Sequence, residues 1–136
     1  MDLKTAPLAA LLIGAVLVAG CTSTANAPAS PQENVKEFYM DSFYTIENGT
    51  AHPQFSVKEI IVNKGDTVRI NINATKGRHD FTIDEYDLYK ETPTGKVTTI
   101  EFVADKAGEF VYYCAQPGHR ALGHWGTLKV LNSTSA

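Results

Sequence analysis

The segment Glu109-Phe110-Val111-Tyr112-Tyr113-Cys114-Ala115-Gln116-Pro117-Gly118-His119-Arg120-Ala121-Leu122-Gly123-His124-Trp125-Gly126-Thr127-Leu128-Lys129-Val130-Leu131 sets two apolar runs on either side of a Pro-Gly loop. The runs are rich in aromatic and β-branched residues and read as strands. The loop between them carries Cys114, His119 and His124 at even spacing. A thiolate and an imidazole on a short loop closing two strands can reach one metal ion. Sulfur and imidazole donors select copper or zinc, and a trigonal set of two histidines and one cysteine favours copper. A third firm donor has to come from elsewhere, and His79 in Gly77-Arg78-His79-Asp80-Phe81 is the candidate.

The rest of the domain has the same texture. Val35 to Ile46 mixes Phe38, Tyr39, Phe43, Tyr44 and Ile46 with polar residues and is expected to be a first strand, ending at the Asn48-Gly49 turn. His52-Pro53-Gln54-Phe55 leads into a second run, Ser56 to Val62, and Lys64-Gly65-Asp66 is a turn. Thr67 to Asn73 alternates, with Val68, Ile70 and Ile72 on one face, the period of a half-buried strand. A short strand opens at His79. Asp84 to Pro93 is acidic and reads as irregular, with room for one helical turn. Val97 to Ala104 alternates again, and Asp105-Lys106-Ala107-Gly108 is a turn. The expectation is an all-β domain: a Greek-key sandwich or barrel of about seven to eight strands.

Residues 1–20 read as an export signal, with Lys4 in the n-region and an apolar run from Leu8 to Ala19 that is short for a membrane span. The run ends in Leu17-Val18-Ala19-Gly20-Cys21, which resembles the lipobox of prokaryotic lipoproteins. That resemblance implies lipidation of Cys21 and a protein held at a membrane, facing the periplasm or the cell exterior. The alternatives are an uncleaved anchor or a cut after Ala25 or Ala27; each also places the domain outside the cytoplasm. Residues 21–34 read as a flexible tether, 35–131 as the domain and 132–136 as a polar tail. With Cys21 acylated, Cys114 has no partner for a disulfide, and metal ligation explains a lone exported thiol. The chain of 136 residues carries a formal charge of −3, which does not suggest a nucleic-acid partner.

From Val57 to Leu131 the chain resembles the cupredoxins, the small blue-copper β-sandwich proteins. The resemblance is carried by Lys64-Gly65-Asp66-Thr67-Val68, by His79 opening a strand, by Ala107-Gly108-Glu109-Phe110-Val111-Tyr112-Tyr113-Cys114, by Pro117-Gly118-His119 and by Gly126-Thr127-Leu128-Lys129-Val130. It implies one copper ion, cycling between Cu(I) and Cu(II), bound by His79, Cys114 and His119, and electron transfer as the usual role.

Two departures from the family pattern stand beside those residues. Where the family usually has an axial methionine, this chain has His124; its methionines are Met1 and Met40, both far from the loop in sequence. An axial nitrogen is a harder donor than a thioether. It would stabilise Cu(II), lower the potential and push the site toward a tetragonal shape, giving a green or red protein rather than a blue one. Alternatively His124 is exposed or hydrogen-bonded near the site, and the copper has three ligands or takes a water. The second departure is Asp80 and Ala115, where many members have Asn and Ser or Thr tying the two loops together. The Ala115 side chain cannot make that bond. Asp80 either sets a negative charge near the metal or lies in solvent.

His52 reads as a solvated loop residue, Trp125 as a cap over the site or ordinary packing, and Phe81, Phe102, Phe110 and Tyr112 as core. Arg120 with Ala121 and Leu122 is placed round His119 as a docking surface, and the acidic run Asp84, Glu85, Asp87 and Glu91 as a wet face or a guide for a basic partner. The leading functional expectation is a membrane-tethered electron carrier, not an enzyme, exchanging single electrons with a cytochrome, an oxidase or a reductase. The alternatives are a copper carrier, and a small copper enzyme that binds nitric oxide, nitrite or oxygen at an open position.

Overall fold

In the computed structural model, which describes residues 34–132, nine strands among the described residues form two sheets. The leader, Cys21, the tether up to residue 33 and the tail beyond residue 132 lie outside the described residues. The strands are β1 (Val35–Glu47), β2 (Thr50–Phe55), β3 (Glu59–Asn63), β4 (Thr67–Ala74), β5 (His79–Ile83), β6 (Leu88–Thr92), β7 (Val97–Val103), β8 (Gly108–Tyr113) and β9 (Trp125–Leu131). One sheet runs β2-β1-β4-β7 and the other β3-β9-β8-β5-β6. The chain crosses between sheets after β2, β3, β4, β6 and β7, so this is an all-β sandwich with crossover connections rather than a row of hairpins.

β1 is long because it serves two neighbours. Val35 to Ser42 pair in parallel with β4, and Ser42 to Glu47 pair antiparallel with β2. Ser42 belongs to both registers, opposite Ala74 on one side and Phe55 on the other. β2 is an edge strand, which is where Pro53 can sit without breaking a ladder.

The alternation in β4 is the clearest case of sequence setting structure. Val68, Ile70, Ile72 and Ala74 are fully buried, and Arg69, Asn71 and Asn73 are only half-buried on the other face. From the facing sheet come Ile60, Val62, Phe81, Ile83, Leu128 and Val130. Phe81 stacks on Tyr112 at 5.3 Å between centroids, and Phe55 packs edge-on to Phe81 at 5.7 Å. Tyr112 is buried with its hydroxyl donating to Val57 O at 2.8 Å. Gly126 makes room for it: a Cβ there would lie 2.3 Å from the Tyr112 ring.

Four expectations are corrected. Asp84–Pro93 is not irregular throughout, because after a 3₁₀ turn at Asp84–Tyr86 the chain forms β6 along β5. The run entered at His52 is two strands, one in each sheet, split at Ser56-Val57-Lys58. His52 therefore lies in a strand, opposite Thr45, rather than in a loop. Phe81 and Tyr112 are fully buried, whereas Phe102 and Phe110 only flank the core.

Candidate metal centre

His79, Cys114, His119 and His124 meet at one end of the sandwich, with one donor atom from each within 4.8 Å of all the others. His79, Cys114 and His124 are buried, and His119 is half-buried. Three segments bring them together. β5 supplies His79 as its first residue, β8 delivers Cys114 immediately past its end, and the loop into β9 carries the other two. The loop is closed by its own backbone: Cys114 N–H donates to His124 O at 3.0 Å and His124 N–H to His119 O at 3.0 Å. Gly118 takes φ +79°, a conformation glycine adopts without penalty, which lets the Pro-Gly turn bend. Lys58 Nζ, from the chain between β2 and β3, donates to Gly123 O at 3.0 Å and pins the loop's far end.

The histidine rings are oriented by groups behind them. His79 Nε2 lies 2.5 Å from Lys76 O. A carbonyl oxygen only accepts, so Nε2 carries the hydrogen and Nδ1 keeps its lone pair. Gly77 (φ +88°) permits this approach, because a Cβ there would stand 2.9 Å from that Nε2. His124 Nε2 lies 3.1 Å from Ser42 Oγ, and its ring packs on Phe55 at 4.1 Å between centroids. The Nδ1 atoms of His79 and His124 are both buried without a hydrogen-bond partner. His119 Nδ1 is 3.4 Å from Cys114 Sγ.

Buried polar atoms are nearly always paired, so two orphaned nitrogens in one cluster need a reason. A metal ion supplies it. One sulfur and three imidazole nitrogens form a donor set suited to a soft or borderline cation. Burial favours neutral imidazole, which is the form that ligates. It pushes His79 and His119 below the usual histidine range and His124 down to about 3, the other two imidazoles and Lys58 adding to the effect on His124. Burial pushes the Cys114 thiol up, opposed by backbone N–H groups of Asp80 and Gln116. A bound cation would reverse that shift and hold the thiolate.

Asp80 is fully buried, so the solvent-exposed alternative does not hold. Its carboxylate accepts the Ala115 backbone N–H at 2.6 Å and Gln116 Nε2 at 2.9 Å. The two loops are thus tied after all, through the Ala115 main chain rather than its side chain. Asp80 N–H points at Cys114 Sγ at 3.5 Å. Trp125 is 45% exposed, so it is not part of the buried core. Arg120 lies over the Tyr113 ring, 4.2 Å from its centroid. Met40 is buried in the sandwich core, and His52 is not part of the four-residue cluster. Nothing local in the sequence marks Ser42 or Gln116, since their contacts span 82 and 36 residues.

The family profile for the cupredoxin-like domain matches residues 10–124. This chain belongs to the cupredoxin-like family. Among solved structures the cupredoxin-like domain resembles the copper nitrite reductase from Nitrosomonas europaea, with a TM-score of 0.64 and 21% identity over 74% of this chain and 42% of that one. It also resembles the Cu-containing nitrite reductase from Thermus scotoductus, with a TM-score of 0.61 and 21% identity over 74% of this chain and 28% of that one. Dithionite-reduced auracyanin from the photosynthetic bacterium Roseiflexus castenholzii matches with a TM-score of 0.53 and 21% identity over 69% of this chain and 95% of that one. The cupredoxin-like chain therefore spans less than half the length of either reductase, and nearly the whole of the auracyanin chain. At these identities the likeness is one of fold.

Proposed function

We propose that this protein is a mononuclear copper protein that transfers single electrons and turns over no substrate. One copper would be held by Nδ1 of His79, His119 and His124 and by Sγ of Cys114. The observation that carries this reading is the convergence of one donor atom from each of the four residues within 4.8 Å, with Nδ1 of His79 and of His124 buried and unpartnered. Copper in such a set supplies a one-electron couple between Cu(I) and Cu(II), because thiolate suits the reduced ion and imidazole suits both.

The protein's part is to hold the donors still while the charge changes. His79 sits on a strand and against Lys76 O, and Asp80 binds the loop carrying the other three to that same strand. Donors on rigid elements keep one geometry better than donors on a free loop. His119 is the least buried of the four. It lines an open depression of about 410 Å³ with Pro53, Pro117 and Leu122, and this is the face through which electrons leave for a cytochrome, oxidase or reductase. A nitrogen from His124 in place of a thioether would lower the copper potential and give a green or red protein rather than a blue one. Acylation of Cys21 anchors the exported protein to its membrane and raises its effective concentration near partners there.

Optical and electron-spin-resonance spectra of the copper-loaded protein test this, recorded for the wild type and for His124→Met. The variant should turn blue and gain potential. Identical spectra for the two proteins would remove His124 from the ligand set.

A further inference from the structure

The two buried histidines are held from behind by different chemistry. Lys76 O can only accept, and that settles which nitrogen of His79 carries the hydrogen. Ser42 Oγ can accept or donate, so His124 needs a second argument. If the Ser42 hydroxyl donated to Nε2, the hydrogen of His124 would sit on Nδ1. That would leave a buried N–H with no acceptor, since His124 Nδ1 has no hydrogen-bond partner. If Nε2–H donates to Ser42 Oγ, the hydrogen left over is that of the Ser42 hydroxyl instead, so buried donors alone do not choose; the cluster does, because only this arrangement leaves His124 Nδ1 with a lone pair beside the other three donors.

The place of Ser42 supports a fixed role. It is fully buried. Its backbone is held in two ladders at once, and its carbonyl accepts the Thr75 N–H at 3.0 Å. The hydroxyl therefore stands on one of the most constrained positions of β1. The His124 ring is also fixed in plane by Phe55 at 4.1 Å and meets His79 edge-on at 4.6 Å between centroids. Phe55 sets where the ring lies, and a polar group behind it is needed to say which nitrogen faces forward.

We infer that Ser42 is the positioning residue of the centre: it accepts the Nε2–H of His124 and so presents the Nδ1 lone pair to the ion bound by His79, Cys114 and His119. The inference rests on the copper reading above, since the ion is what calls for a lone pair on Nδ1. A ligating imidazole is ordinarily fixed through its other nitrogen, and loss of that partner costs roughly 10–100-fold in metal affinity.

Nitrogen-15 NMR of the histidine rings in the metal-free 136-residue chain tests the tautomer directly. His79 and His124 should both show the hydrogen on Nε2. In Ser42→Ala, His124 should become a mixture of tautomers while His79 is unchanged. Copper(II) affinity should drop roughly 10–100-fold. The copper spectrum should move the same way as in His124→Gly, and Ser42→Thr, which restores a hydroxyl, should return it toward wild type. Finding the hydrogen on Nδ1 of His124 in the wild type overturns the inference, whether or not any variant folds. So does a Ser42→Ala protein with unaltered tautomer and spectrum. If the wild type binds no copper, the copper reading fails, and the metal-free spectra still decide the role of Ser42.

Discussion

The middle of the sandwich and its loop end are both buried, yet they are built on opposite terms. In the middle, Phe81, Tyr112, Phe55 and the β4 aliphatics cover one another, and the single buried phenol finds Val57 O. At the loop end, two buried imidazoles and a buried thiol meet a half-buried third imidazole, and two ring nitrogens are left unmatched. The first region needs nothing from outside to be satisfied. The second is complete only with a cation. Phe55 joins them, touching Phe81 and Tyr112 below and His124 above. Stability therefore resides in one region and unfilled donor capacity in the other, with a shared aromatic between them.

That contrast can be broken from either side. Phe81→Ala, in the middle, should cost about 3–5 kcal/mol in chemical denaturation of the metal-free protein, the usual toll for emptying a buried aromatic site. A cost below about 1 kcal/mol would mean that the middle is not the seat of stability. Acid should act on the loop end next. His124 has its folded value near 3 against 6.5 when unfolded, so between those values the unfolded chain binds the extra proton. Stability is full above pH 6.5 and is lost as pH falls toward 3. The slope is about 1.4 kcal/mol per pH unit for one such group. Denaturation of the metal-free protein between pH 7 and 4.5 should show a loss of at least about 3 kcal/mol, to which His79 and His119 add because burial lowers them too, and His124→Gln should remove the share of His124. A flat profile would contradict the buried neutral state of that ring. Smallest is Asp80→Asn. One carbonyl oxygen can keep the Ala115 N–H but not also match Gln116 as the carboxylate does, so about 1–2 kcal/mol should be lost. The copper potential should rise with removal of the buried negative charge. An unchanged potential would reduce Asp80 to a purely mechanical tie.

The same division marks what could be read in advance. β4, β8 and β9 announce themselves through alternation and β-branched residues, because one face of each is apolar and the other is not. The four donors are recognisable by residue type and spacing. β6 carries little signal of its own because it is an edge strand with Tyr89, Lys90 and Glu91 exposed, so its strand character comes from pairing with β5 rather than from its own composition. The split between β2 and β3 was missed because the chain changes sheets without Gly or Pro between Ser56 and Lys58. Asp80 was ambiguous because its partners are a main-chain N–H and a glutamine across the loop gap. Ser42, a serine in a long strand, carries no mark at all; only the folded chain sets it behind His124.

The most direct test is X-ray absorption at the copper edge on the metal-loaded protein, paired with the same measurement on Cys114→Ser. Wild type should show one short copper–sulfur bond together with imidazole nitrogens, and the variant should lose the sulfur shell. Copper surrounded only by nitrogen and oxygen in the wild type would contradict the account at its centre.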